Sequence, residues 1–479
     1  MRTSSLVLLL ACAGSFIVIM DATILSVALP EIRTALGFTP ESLPWVVNAY
    51  TLAFAGFLLL GGRCADAFGP RRILLLGLGL FTVARTIGGL ATGPGLLLAA
   101  RAVQGLGGAL LMPVTLSLLT TTFTEPAARA RALATWSAVG AIGAASGPVL
   151  GGLLTDGLSW RWVFFVTVPI GVAAMALAVR VLPPRDRAAG PVRLDVVGAV
   201  LATAGLVGVV YAVMSTAHNG LGSPSVLVPL VGGIFVLAVF LVHQARWAAD
   251  PLVPLGVFRL GAVAAANAVM FLLGLGFFAS PILLSLYLQY VSGYSPMAAG
   301  LGYLPIGVAM CVGARAAGAL TVRHGARRAT VLCCLVGAAG FGGTAVLLGV
   351  DQPYLLAVAL PGLVLGLGSA AAFTPITVAA TTGLPAHQNG LAAGVLNTVR
   401  QTSGAIGLAV LSTLAATITA NQGGASSPTA LAAGYSAAFL LSAAFLVAAA
   451  LVAAFALPRG ESTTPQRNRT ARAGSAPLT

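Results

Sequence analysis

Apolar stretches of bilayer-spanning length recur along almost the whole of this chain, and that recurrence leaves few folds open. A helix crossing the hydrocarbon core needs about 20 largely apolar residues. About fourteen such stretches can be read, at roughly 6–29, 44–62, 73–92, 95–121, 131–154, 162–182, 194–215, 225–244, 260–288, 297–321, 328–349, 353–380, 390–419 and 432–456. Hydrophobic residues make up 58% of the chain and charged residues only 8%, against roughly a quarter charged in a soluble domain. In lipid every backbone polar group must be satisfied within the segment, so spans of this length are helices. The fold class is an all-α, multi-pass membrane protein. The 59 glycines suit it, since small residues let helix backbones approach one another in lipid.

The basic residues set the orientation. The chain has no lysine, so all 25 are arginine. With the N-terminus inside, nearly every loop arginine falls on the inner side: Arg2, Arg63, Arg71, Arg72, Arg129 and Arg131, then the run from Arg180 to Arg193, and so on to the tail from Arg459. Only Arg33 and Arg161 fall outside. The positive-inside rule then puts both termini in the cytoplasm and the protein in the cytoplasmic membrane. It also accounts for the net charge of +14 as topology, with no nucleic-acid partner. Residues 1–30 read as a retained first span, too long for a cleaved signal. Without a Gly-Lys-Ser/Thr sequence there is no P-loop and no built-in ATPase, so any pumping draws on an ion gradient or a separate subunit. The five cysteines form no CxxC pair and the four histidines are scattered, so no metal, cofactor or disulfide framework is implied. The spans hold no clustered catalytic set, which argues against an enzyme.

A weak internal repeat organises the chain. The loop after the second span runs from Gly62 through Asp66 and Gly69 to Arg71 and Arg72. Gly318, Gly325, Arg327 and Arg328 repeat the same spacing 256 positions later. Six spans with their loops need only about 200 residues, so the offset leaves about two spans over. The expected division is a six-helix bundle over 1–190, two inserted helices over 191–250, a second six-helix bundle over 251–458 and a disordered cytoplasmic tail over 459–479. Repeats of this kind build secondary transporters.

Within the spans, charges are few and therefore informative. Asp21 is the only acid in the interior of any apolar stretch. An ionised Asp at bilayer depth costs roughly 2.5–3.5 kcal/mol on insertion scales, which marks a group with a task. Asp21 lies about eight residues before the outer end of the first span, and Arg101 about six after the outer end of the fourth. Both sit roughly 10 Å deep, a match that permits an ion pair able to load and release a proton. A static pair is the plainer alternative. Arg85 and Arg400 are also embedded, and no further acid is left to pair with Arg85. With Gln104, Asn397 and Gln401 they are expected to line a cavity. In the fifth span Gly140, Gly143, Gly147 and Gly151 share one helix face, which gives a flat contact surface. Pro148 removes a helical hydrogen bond there, and Gly152 follows. The loop from Gly62 to Arg72 reads either as a latch between helices, with Asp66 reaching a helix N-terminus or an arginine, or as a solvated basic loop.

These residues resemble the major facilitator superfamily, in particular its fourteen-span drug:proton antiporter branch. Asp21 to Pro30 resembles that branch's first-helix signature, with Ser26 in place of the usual Asn. Gly62 to Arg72 resembles the superfamily's loop 2–3 motif, departing at Ala67 and Pro70. Arg101 to Gly105 resembles the fourth-helix motif, Gly143 to Gly152 the antiporter motif of the fifth helix, and Gly394 to Gln401 the thirteenth-helix pattern. The resemblance implies a major-facilitator-type fold of two six-helix bundles plus two inserted helices. It implies alternating access, with inward proton flow through Asp21 and Arg101 driving export. The implied substrate is an amphiphilic, often cationic drug, dye or antibiotic, handled by a monomer. A dedicated carrier for one metabolite is the alternative within this fold; a passive channel lies outside it.

Overall fold

The computed structural model describes residues 2–40, 42–183, 194–216, 219, 222–253, 255–381 and 389–458. Among these the regular structure is helical. It comprises α1 (Arg2–Leu36), α2 (Trp45–Phe68), α3 (Pro70–Gly89), α4 (Pro94–Thr122), α5 (Pro126–Gly157), α6 (Trp162–Phe165), α7 (Val168–Val181), α8 (Val196–Ser215) and α9 (Pro224–Val242). It continues with α10 (Gly261–Phe277), α11 (Ser280–Tyr290), α12 (Pro296–Gly302), α13 (Leu304–Leu347), α14 (Leu360–Thr381), α15 (Asn389–Asn421) and α16 (Pro428–Ala456). The expected tail and the loop around Arg187 lie outside the described residues.

Local chemistry explains where the helices start. Pro70, Pro94, Pro224 and Pro428 occupy the first turn, where the missing N–H costs nothing and the fixed φ favours helix. Glu125, Asp195, Ser295 and Ser427 accept hydrogen bonds from first-turn amides of α5, α8, α12 and α16.

Thirteen helices among the described residues are long and apolar enough to cross a membrane. One of them, Pro296–Leu347, has 52 residues. A straight helix of that length would reach roughly 78 Å, more than twice a hydrocarbon core. It is broken at Gly325, with φ 77° and ψ 157°. Gly69, between α2 and α3, has nearly the same backbone, φ 87° and ψ 143°. These are the two glycines that the sequence repeat aligns. The parallel extends to the arginines that follow. Arg71 donates to the Val179 carbonyl at 3.1 Å, near the end of α7, and Arg327 donates to the Ala454 carbonyl, near the end of α16. A guanidinium on the last carbonyls of a helix is favourable in each case.

Helices α1–α5 and α7 pack on one another, and so do α10–α16. The two sets meet where α1 touches α11, α2 touches α15, and α5 touches α12 and α13. Between them α8 rests on both α2 and α15, and α9 packs on α8. The end of this pair where α8 begins and α9 finishes is pinned by polar contacts. Asp195 receives the Gly198 N–H at 2.8 Å and the Gln244 amide at 2.5 Å, and stands 2.8 Å from His243 Nε2. Gln244 in turn accepts the Val253 N–H at 3.0 Å. Burial opposes ionisation of Asp195, but the bonds from Gln244, His243 and Gly198 outweigh it and hold the carboxyl below the usual carboxylate range.

Candidate functional site: a buried carboxylate between two arginines

Three helices bring one carboxylate and two guanidiniums to a single dry point. Asp21 sits midway along α1, Arg85 near the end of α3 and Arg101 in the second turn of α4, with exposures of 0%, 1% and 1%. Arg101 Nη1 donates to Asp21 Oδ2 at 2.7 Å and to Gln104 Oε1 at 2.8 Å, while its Nε donates to the Val46 carbonyl at 2.9 Å. Arg85 Nη1 donates to the other oxygen of Asp21, and its remaining nitrogens reach the Val163 and Phe164 carbonyls. Aromatic faces cover both cations. Tyr50 lies 4.5 Å from the Arg101 guanidinium, and Phe81 and Phe164 lie 5.9 and 5.5 Å from that of Arg85.

The Asp21–Arg101 pair joins the residues that equal depth had matched. Arg85 corrects the sequence reading, which gave it no acidic partner. It shares Asp21 with Arg101, and both it and Gln104 are buried in the cluster. The same depth arithmetic places Arg85 about seven residues, or roughly 10 Å, from the outer end of its span. Which way a helix turns a given residue was the missing information. Tyr50 and the Val163 and Phe164 carbonyls carried no sequence signal of their own.

The electrostatics of the cluster follow from the count. Each oxygen of Asp21 accepts from one guanidinium, and the two positive charges beside it oppose its protonation while both pairs hold. Two guanidiniums against one carboxylate leave one positive charge in surplus. Gln104 Nε2 is buried without a partner among the described residues. Buried ion pairs owe their persistence to full hydrogen bonding, and removing one partner is strongly destabilising.

The glycine face of α5 sits against α1 beside this cluster. A Cβ at Gly143 would stand 3.2 Å from the Phe16 carbonyl oxygen. At Gly147 it would run into the Thr23 hydroxyl, two residues from Asp21, and at Gly151 into the Ile24 carbonyl. The helix runs uninterrupted through Pro148. Gly152 faces the opposite set of helices: a Cβ there would strike the Pro296 carbonyl of α12, and one at Gly300 would strike the Pro148 carbonyl. The segment from Gly147 to Gly152 thus touches both α1 and α12.

The remaining candidates lie apart. Gly62 to Arg72 is not a loop but the last turns of α2 and the first of α3, with Gly69 alone between them; Asp66 there is exposed and bears no ion pair among the described residues. Arg72 is exposed as well. Arg63 ties the junction to the segment after α9 through the Asp250 and Pro251 carbonyls, at 3.1 and 2.8 Å. Asn397, Arg400 and Gln401 are half-buried on α15 and make no contact with Asp21 among the described residues.

Comparison with known proteins places this geometry. The Major Facilitator Superfamily profile matches residues 11–408. The cephamycin export protein of Amycolatopsis lactamdurans is 44% identical over 440 residues, covering 91% of this chain and 89% of that one. The puromycin resistance protein of Streptomyces alboniger is 39% identical, over 86% of this chain and 82% of that one. A multidrug resistance protein of Mycobacterium tuberculosis is 35% identical, over 88% and 77%. Among solved structures, a D-xylose–proton symporter superposes with a TM-score of 0.65 at 14% identity, over 95% of this chain and 98% of that one. A POT family transporter in complex with 5-aminolevulinic acid superposes with a TM-score of 0.68 at 14% identity, over 94% and 95%. At such identities the likeness concerns the fold.

Proposed function

This chain belongs to the Major Facilitator Superfamily, and we propose that it exports amphiphilic drugs or antibiotics in exchange for protons. It is a multi-pass membrane transporter of the drug-efflux kind and not an enzyme. The observation that carries proton exchange is the Asp21 cluster, an enclosed carboxylate held by Arg85 and Arg101 from three separate helices. Relative movement of α1, α3 and α4 would break one pair and free an oxygen of Asp21 for a proton. The Gly147–Gly152 segment supports the same reading, since it packs beside Asp21 on one side and on α12 on the other. A change at the carboxylate would reach the contact between the two halves directly.

In this reading the first six spans and the last six form two bundles that rock about the ligand, and α8 and α9 form the inserted pair. The arginine asymmetry supports cytoplasmic termini, with export outward across the cytoplasmic membrane. The α5–α12 contact then lies at the outer end and closes the protein on that side. The α2–α3 junction, with Asp66, Gly69, Arg71 and Arg72, lies at the inner end as the latch between states. One chain contains both bundles, so a monomer suffices.

The test is dye and antibiotic accumulation in cells expressing the protein. Wild type is expected to lower the accumulation of several chemically unrelated amphiphiles, and Asp21→Asn to restore it. Lowered accumulation of one compound alone would favour a dedicated carrier, and transport unaffected by Asp21→Asn would remove Asp21 from coupling.

A further inference from the structure

The charge balance inside the helices selects the sign of the ligand. Four arginines fall within the spans; Arg315 is exposed, while Arg85, Arg101 and Arg400 are buried or half-buried, against Asp21 as the one carboxylate at that depth among the described residues. Asp21 is fully enclosed and both its oxygens are taken. A cationic ligand would therefore find no carboxylate open to it in this state. Arg400 is the opposite case. It is half-buried, and among the described residues it has no carboxylate within salt-bridge distance. Its Nε is buried without a hydrogen-bond partner.

What surrounds Arg400 has the makings of a ligand site. Its guanidinium lies 5.9 Å from the centre of the Phe373 ring on α14. Phe373 meets Phe277 at 5.3 Å and Phe278 at 6.1 Å, so three rings from α10, α14 and the α10–α11 junction stand together beside one cation. Phe278 and Phe373 are only half-buried and have face to offer. Asn397, three residues before Arg400, adds an amide on the same side of α15. Nε–H and one Nη–H of an arginine form a fork that matches a carboxylate bidentately. An unpaired guanidinium taken from water is costly, and an anionic ligand would offset that cost.

We infer that this site takes an aromatic or amphiphilic anion, its carboxylate held by Arg400 and its rings against Phe278 and Phe373. The inference rests on the export reading and gives that reading a substrate class. The same helix leads to a second cation. Leu408 and Ser412, about two and three turns beyond Arg400, line a cavity of about 280 Å³ that also holds Arg33. Arg33 lies 5.7 Å from the Tyr290 ring and likewise lacks a carboxylate partner among the described residues. An anion leaving along α15 would pass from one arginine without a carboxylate partner towards another, which donates to the Tyr290 hydroxyl at 3.4 Å.

The experiment uses two dyes on one xanthene scaffold, anionic carboxyfluorescein and cationic rhodamine 6G. Binding to the purified full-length protein is followed by fluorescence anisotropy. Wild type is expected to prefer carboxyfluorescein. Arg400→Gln should weaken that binding by about tenfold or more, the scale of a lost charge-assisted pair, and Arg400→Lys should recover part of it. Arg315→Gln, at an exposed arginine of α13, should leave it unchanged. Preference for rhodamine 6G, binding of neither dye, or carboxyfluorescein binding indifferent to Arg400→Gln would each overturn the anion site. Uphill transport in vesicles separates this from the export reading. Rhodamine 6G transport without carboxyfluorescein binding leaves export standing and removes the anion site. Carboxyfluorescein binding that depends on Arg400, without transport of either dye, supports the anion site and removes export.

Discussion

Asp21 is the residue on which most of the interior depends, because it balances charge for two arginines at once. Asp21→Asn leaves two buried guanidiniums facing each other and should cost about 3–5 kcal/mol, the range for breaking a buried pair. Arg85→Gln should cost less, since Asp21 and Arg101 remain as a neutral pair. The double change Asp21→Asn with Arg85→Gln should be more stable than Asp21→Asn alone. Thermal unfolding of the four proteins in one detergent gives the ranking, and an Asp21→Asn protein as stable as wild type would contradict it. Asp195 is the corresponding residue outside the spans. Its folded carboxyl lies below the usual carboxylate range, so the bonds to Gln244 and His243 contribute above the unfolded value and are lost as pH falls through the folded one. The clasp should therefore weaken only as pH falls below the usual carboxylate range. Asp195→Ala should cost about 1–3 kcal/mol at neutral pH and remove that acid-side dependence. Unfolding of both proteins across pH checks this.

At the scale of elements, two junctions and one helix face decide how the spans are joined. Gly69 and Gly325 share a backbone that is nearly confined to glycine. Alanine at either should cost about 1–3 kcal/mol, whereas Gly79→Ala, with open space around it, should be neutral or slightly stabilising. Unequal effects at Gly69 and Gly325 would argue against equivalent junctions. On α5, Gly147→Val drives a branched side chain into Thr23 and should abolish transport while the protein still folds, as size-exclusion chromatography and dye efflux would together show. The spans were legible in the sequence because bilayer thickness dictates their length. The junctions were legible because two loops making the same turn need glycine at the same spacing. The Asp21–Arg85 contact was not, because hydrophobicity on all sides of a lipid-facing helix hides which way it is rotated. The Asp195, His243 and Gln244 cluster was equally hidden, since its members come from opposite ends of two helices. The three phenylalanines beside Arg400 looked like any apolar residues until α10, its junction with α11, and α14 brought them together.

At the scale of the whole molecule, the cluster at Asp21 and the site at Arg400 lie in opposite sets of helices, with α5 and α12 in contact between those sets. Protons and ligand would then bind in different halves and communicate through the α5–α12 contact. With an anionic ligand, export and proton entry move charge in the same sense, so an inside-negative membrane potential would drive both. Dissipating the potential at constant pH gradient is expected to slow carboxyfluorescein export. Unchanged rates would show that the net charge moved is not the one this scheme requires. The central claim is that a proton passes through Asp21 as ligand moves out. Proton flux in inside-out vesicles with an acidic lumen tests it most directly. Adding a transported compound should collapse the pH gradient in wild type and leave it intact in Asp21→Asn; equal collapse in both would contradict the claim.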